Sequence, residues 1–471
     1  MRDALPQVEE GIPLYELLLH GAPAQVIPTQ TAAGTVADPS RIANAVAAAA
    51  TRTSRRRLRR LAKSVAGVSD DEVLSLALDE VRSRNIDTTS LRLLGTWLCT
   101  ASVRRASVRT GLGLLAQAGV GESAAIVRTL GKDETLTTSA VATLTQGLGG
   151  GDLEVWKLAK TVRGAGRIRC IEALAGTKDA EVRRWILCEG LSGTDLPLDA
   201  ETAALLATTG SLANELDTTA VDRVLLTAAG SIFTALAAGA AGEEPVVRDE
   251  VDAIQPYLAH MRTRASNLDD LAALQAVASI LRRTPSPMEE SARHRLAATC
   301  DEILAKPRWS AVIESALDTA DDEAFARADG IAKVHGVDTF GFHLARIEGN
   351  PHGTSWDRAF EQTDTLGARR LAALASRALT TRDEGTGPGA VRDLLASLLA
   401  GLDRFSGIGG EVVLAGLGHE TPSIRAAAID VLGAWSRSDW PDGALAAVEH
   451  IAHDDPAPDT RAAAYALLTG S

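Results

Sequence analysis

Aromatic side chains make up only 3% of this 471-residue chain, and the residue patterns that usually announce chemistry are scarcer still. With so few aromatics there is little for a nucleobase to stack on. Cysteine occurs four times, at 99, 170, 188 and 300, with no Cys-x2-Cys pair. Such scattered thiols in apolar helical contexts fit reduced, buried side chains better than disulfides or a zinc cluster. The chain has no His-Glu-x-x-His, no Gly-x-Ser-x-Gly elbow, and no glycine-rich stretch followed by Lys-Ser or Lys-Thr. The usual metalloprotease, hydrolase and phosphate-loop signatures are therefore missing. Alternating β-branched segments are rare as well, so the expected class is all-α. Long apolar runs are also wanting. The nearest, 19 uncharged residues from Val224 to Gly242, is rich in Ala, Gly and Thr and interrupted by Ser231, so it reads as a buried helix and no membrane association is expected. The N-terminal Met-Arg-Asp-Ala-Leu-Pro-Gln lacks the apolar core of a secretory signal, and a cytoplasmic location is the expectation.

What the chain does contain is a repeat. Thr421-Pro-Ser-Ile-Arg-Ala-Ala-Ala-Ile-Asp-Val-Leu432 aligns without a gap on Ala457-Pro-Asp-Thr-Arg-Ala-Ala-Ala-Tyr-Ala-Leu-Leu468, an offset of 36 residues. The alignment places Pro422 over Pro458 and Arg425 over Arg461. Each copy reads as a helix start, with Thr421 able to cap and proline at the first helical position, where its missing N–H costs nothing. Ile424, Ala427, Ala428, Val431, Leu432 and Trp435 then fall on one face at helical spacing. With short helices expected before each copy, around Val413–Leu417 and Val448–Ile451, each unit becomes a helical hairpin that buries its face only against a neighbour. A related copy runs from Asp179 through Arg183 and Trp185. The repeated arginine sits near the positive end of its helix, so a carboxylate should compensate it, and Glu420, Asp455 and Asp179 stand just before the three arginines. A ladder of such contacts between units is the expectation.

This pattern resembles the HEAT-repeat family, whose second helix opens with Pro or Asp, then Val-Arg, small residues and a leucine. The resemblance covers about 411–471 and, in fainter form, 174–191. It implies an α-solenoid, a right-handed stack of antiparallel helix pairs of the HEAT or armadillo kind, acting as an intracellular protein-binding scaffold without cofactor or covalent chemistry. Organisation along the chain is expected as a proline-rich arm at 1–40, a helical subarray at 41–240, irregular helix pairs at 247–380 and the clear repeats at 390–471. Gly239-Ala-Ala-Gly-Glu-Glu-Pro245 is the candidate boundary, and Thr284–Pro287 and Thr381–Gly389 read as turn and linker.

Charge is unevenly spread. The chain carries a net −13, yet residues 41–110 hold 14 Lys/Arg against 6 Asp/Glu. A single helix is expected from Pro39 towards Val65, and along it Arg52, Arg56, Arg59, Arg60 and Lys63 share one broad face, with Arg55 and Arg57 beside them. Arg52, Arg55, Arg56, Arg59, Arg60 and Lys63 are the candidate residues for an anionic partner, either an acidic protein or, as the alternative, nucleic acid. The plainer reading is a solvated face whose arginines pair with Asp70, Asp71 and Glu72. His450 and His453 are three apart ahead of Asp454 and Asp455, but helix ends attract such residues and no metal site is expected. The pairs Asp269-Asp270, Glu289-Glu290 and Asp321-Asp322 read as helix-start charges. Trp185 and Trp435 are expected in the core, and Trp356 and Trp440 in loops or turns.

Overall fold

The computed structural model describes residues 9–21, 38–66, 68, 70–193, 196–218, 221–239, 248–283, 288–380 and 388–470. Among them the secondary structure is helical throughout, with no strand. The expected proline-rich arm lies largely outside the described residues, as do the glycine-rich boundary beyond Gly239, the Thr284–Pro287 turn and most of the linker after Thr380.

The chain divides into two compact units, 1–306 and 307–471. The first carries α1 (Leu14–Leu19), α2 (Pro39–Thr51), α3 (Arg55–Val65), α4 (Asp71–Ser83), α5 (Thr88–Ala101), α6 (Arg105–Ala118), α7 (Ala124–Leu130), α8 (Glu134–Gly147) and α9 (Asp152–Ala159). It continues through α10 (Gly164–Ala173), α11 (Ala180–Glu189), α12 (Ala200–Thr209), α13 (Leu212–Leu216), α14 (Arg223–Gly239), α15 (Arg248–Arg264), α16 (Leu268–Arg282) and α17 (Glu290–Leu304). The second holds α18 (Arg308–Leu317), α19 (Asp322–His335), α20 (Phe340–Gly349), α21 (Trp356–Glu361), α22 (Thr365–Thr380), α23 (Pro388–Leu402), α24 (Gly410–Leu417), α25 (Pro422–Ala434), α26 (Ala444–Asp454) and α27 (Pro458–Thr469).

Helix starts follow from short polar side chains. Asp38, Ser54, Asp70, Asp87, Asp133, Asp179, Asp199, Asn267 and Asp321 each accept a backbone N–H from the first turn of the helix they precede. Each such cap contributes about 1 kcal/mol. Seven of these nine caps are aspartates, so part of the chain's acidity serves helix ends. Ser54 also overturns the single helix expected over 39–65: its hydroxyl caps Arg57 N at 3.4 Å, Arg52 is extended (φ −149°), and α2 and α3 are separate elements.

Most packing is between neighbours and next-but-one neighbours, with longer steps where α1 meets α5 and α7 and where α11 meets α14. In the first unit α6 packs on α5 and α8, α10 on α8 and α12, and α14 on α12 and α16. In the second, α22 packs on α20 and α24, α24 on α26, α23 on α21 and α25, and α25 on α27. Small residues set the tightest of these contacts. A Cβ on Gly111 would stand 2.9 Å from the Gly95 carbonyl oxygen and 2.8 Å from Leu98 Cβ, so α5 and α6 approach with backbone nearly on backbone. The described part of the uncharged stretch, 224–239, lies in α14, whose Leu225, Leu226, Ile232 and Phe233 are buried. Among the described residues no helix is long and apolar enough to cross a membrane.

Trp185 and Trp435 lie in the core as expected, whereas Trp356 corrects its expectation. It opens α21, is 1% exposed, and donates its indole N–H to the Pro351 carbonyl at 2.8 Å. Trp440 is half-buried and bonds the Leu432 carbonyl at 3.0 Å.

A candidate anion-binding face on the third helix

Helix α3 is amphipathic in the simplest way. Leu58, Leu61, Ala62 and Val65, spaced i, i+3, i+4 and i+7, are buried in a core with Ile42, Val46, Leu94 and Leu114. That leaves Arg55, Arg56, Arg59, Arg60 and Lys63 exposed along the opposite side, about 12 Å from first to last at 1.5 Å per residue. Arg52 is exposed too, but it sits in the turn before α3 and is not on the helical face that the sequence assigned to it. Arg57 turns inward instead, donating to the Ala48 carbonyl at 2.8 Å and the Arg52 carbonyl at 3.4 Å, and so ties α3 to the end of α2.

None of the six candidate cations has a hydrogen-bond or ion-pair partner among the described residues. Two of the acids expected to neutralise them are engaged elsewhere: Asp70 caps α4 through Glu72 N at 2.9 Å, and Asp71 pairs with Arg109 on α6. The first turn of α3 contains three arginines and no acid, against the preference of a helix N-terminus for negative charge. The isolated helix therefore holds its cations at an electrostatic cost that an external anion would relieve.

Arginines elsewhere are used differently. Arg425 is 7% exposed; its Nε and Nη2 reach Asp455 at 2.5 and 2.8 Å, while Nη1 donates to the His419 and Glu420 carbonyls at 2.7 Å each. Asp455 belongs to the following repeat, so this bond joins one hairpin to the next, and the guanidinium holds the Asp455 carboxyl below the usual carboxylate range. Arg183 repeats the arrangement with Glu215 at 2.9 Å and the Lys178 carbonyl at 3.1 Å. Arg105 pairs with the buried Asp133 at 2.8 Å. Of the ladder expected from sequence, single rungs are present with other partners, Arg425 to Asp455 and Arg183 to Glu215. Glu420 contributes its carbonyl, Asp179 caps α11, and the Thr421 hydroxyl caps nothing. Asp270 likewise does more than sit at a helix start, since it closes a capping box with Asn267 and accepts Arg223 at 2.6 Å.

Sequence reasoning missed a buried polar cluster in the second unit. Asp329 accepts Thr339 Oγ1 at 2.8 Å, His343 Nε2 at 2.9 Å and Arg358 Nε at 2.8 Å. Burial opposes its ionisation, but the hydrogen bonds from Arg358, His343 and Thr339 prevail and keep its carboxyl low. Gln362 accepts both the N–H and the hydroxyl of Thr339 at 2.9 Å. These five residues come from α19, α20, α21 and flanking turns, with no common spacing for a sequence scan to find.

Three of the four thiols are buried as expected, whereas Cys188 is only half-buried. Cys99, Cys170 and Cys300 are buried, and burial pushes the last two up to about 12. His450 and Asp454 pair at 3.1 Å on an exposed surface, and among the described residues no group of three His, Cys, Asp or Glu is placed to hold a metal. A groove of about 520 Å³ lies along α11, α12 and α14, walled by Leu187, Leu206, Val224 and Ile232 with Arg223, already paired, at its rim. Compared with known proteins, the chain matches no family model and no curated protein sequence.

Proposed function

We propose that the chain is a non-enzymatic scaffold, built as a right-handed solenoid of HEAT-like antiparallel helix pairs, in which α3 docks an acidic segment of a protein partner. The observation that carries this reading is the contrast in how arginine is used. Arg105, Arg183 and Arg425 are consumed in bonds between helices, whereas Arg52, Arg55, Arg56, Arg59, Arg60 and Lys63 stand exposed and unpaired among the described residues. Packing of many helices on a next-but-one neighbour, as in the series α6, α8, α10, α12, α14, α16 and α21, α23, α25, α27, supports the solenoid. A structural use for the buried carboxylates Asp133, Asp270, Asp329 and Asp455, each bonded to an arginine, supports a scaffold over an enzyme. Free thiols at all four cysteines support a reducing, cytoplasmic setting.

Nucleic acid is the second reading, favoured by arginine itself, whose guanidinium suits phosphate. The only tryptophan in the stretch, Trp97, is buried in the core, and the net charge of −13 repels a long polyanion. A labelled Asp/Glu-rich 12-residue peptide and a 20-base-pair duplex, each titrated against the chain and against a variant with Arg55, Arg56, Arg59, Arg60 and Lys63 all changed to Ala, separate the two. Salt-sensitive peptide binding lost in the variant is the expected result. Duplex binding lost in the variant, without peptide binding, replaces the first reading by the second.

A further inference from the structure

The last two repeats differ in one respect that the 36-residue alignment makes exact. In α25, Ile429 is 3% exposed, and Val431 and Leu432 are buried, because α27 and its neighbours cover them. Their counterparts in α27 are Tyr465, which is 62% exposed, and Leu467 and Leu468, both only half-buried. The arginines differ in the same sense. Arg425 holds two carbonyls of its own loop and reaches forward to Asp455 of the next hairpin. Arg461 keeps the loop bond, to the Asp455 carbonyl, but its Nε and Nη2 meet no carboxylate among the described residues. The Asp455 carboxylate beside it is already taken by Arg425.

The preceding hairpin is therefore an internal template for what covers this face. We propose that α27, through Arg461, Tyr465 and Leu468, docks a helix pair of a partner protein whose connecting loop delivers an aspartate or glutamate to Arg461. The apolar residues supply contact area, and the guanidinium selects the acidic loop, since a charge-assisted bidentate bond is the strong and geometrically exacting part of the template. This surface lies on the second unit and is independent of the α3 reading.

The test uses the full chain carrying a duplicate of residues 436–471 placed after Ser471, which preserves the offset and presents the template hairpin at high local concentration. Amide exchange in α27 is expected to slow about tenfold or more relative to the natural chain, the factor that 1.4 kcal/mol provides. Most of that protection should disappear with Arg461→Ala, or with Asp455→Asn confined to the duplicate, and combining the two should cost little more than either. Unchanged exchange in the extended chain overturns the proposal, as does protection indifferent to both substitutions. Sedimentation of the natural chain provides the second check. Self-association abolished by Arg461→Ala would give the face to another copy of this chain and overturn the partner protein as its occupant.

Discussion

Replacing Arg425 by alanine strands the Asp455 carboxylate in a site where it is almost wholly shielded from water. Breaking a buried pair on one side costs about 3–5 kcal/mol, and that loss is the expected shift in chemical denaturation of the second unit. Asp455 also gives a pH dependence whose sign is fixed. Its folded carboxyl ionises more readily than an unfolded one, chiefly because of Arg425, so the stabilisation is complete above the ordinary aspartate value of about 4 and is lost as pH falls through the lower folded value. An Asp455→Asn chain should show a shallower loss of melting temperature over that acid range. The thiols offer a third check. Cys188 is the half-buried one and burial raises its pKa, so at pH 8 it should react slowly with a disulfide reagent. Cys99, Cys170 and Cys300 should wait for unfolding, and simultaneous reaction of all four would contradict the packing described.

At the scale of elements, α3 trades stability against an exposed charge. Arg55→Glu and Arg56→Glu place acids in its first turn, and each is expected to raise the melting temperature slightly while weakening any anionic ligand. Stabilisation without loss of peptide binding would separate the charge from the docking role. The same helix shows how far the sequence could be read. Its charged face was read from the spacing of Arg56, Arg59, Arg60 and Lys63, but Ser54 between two runs of helix-forming residues was invisible as a cap, because capping depends on whether the backbone at Arg52 is extended. The Arg425–Asp455 bond was legible only in kind: the repeat fixes the arginine, but the acids stand four to six residues before it and the one Arg425 uses comes from the next hairpin. The cluster on Asp329 was not, since Thr339, His343 and Arg358 converge only after three helices have packed. Trp356 was misread for a related reason: it follows Gly353 and a proline turn, yet α21 folds it inward beside Phe360, with ring centroids 6.4 Å apart.

For the whole molecule, the two compact units imply that heat unfolding is not a single two-state event. Leu112→Ala in the first unit and Leu371→Ala in the second each remove a fully buried side chain, and each should destabilise by about 2–5 kcal/mol. Scanning calorimetry is expected to show each substitution moving a different part of the endotherm, and a single peak shifted equally by both would show one cooperative unit. The arginine bonds also have a direction in time. Arg105, Arg183 and Arg425 find their carboxylates 28, 32 and 30 residues further along the chain. At synthesis rates of about 5–20 residues per second, each guanidinium emerges from the ribosome roughly 1.5–6 s before the acid that completes it. At these three places the incoming segment therefore arrives at a surface already bearing an unmatched positive charge, which draws it into place as the chain is made.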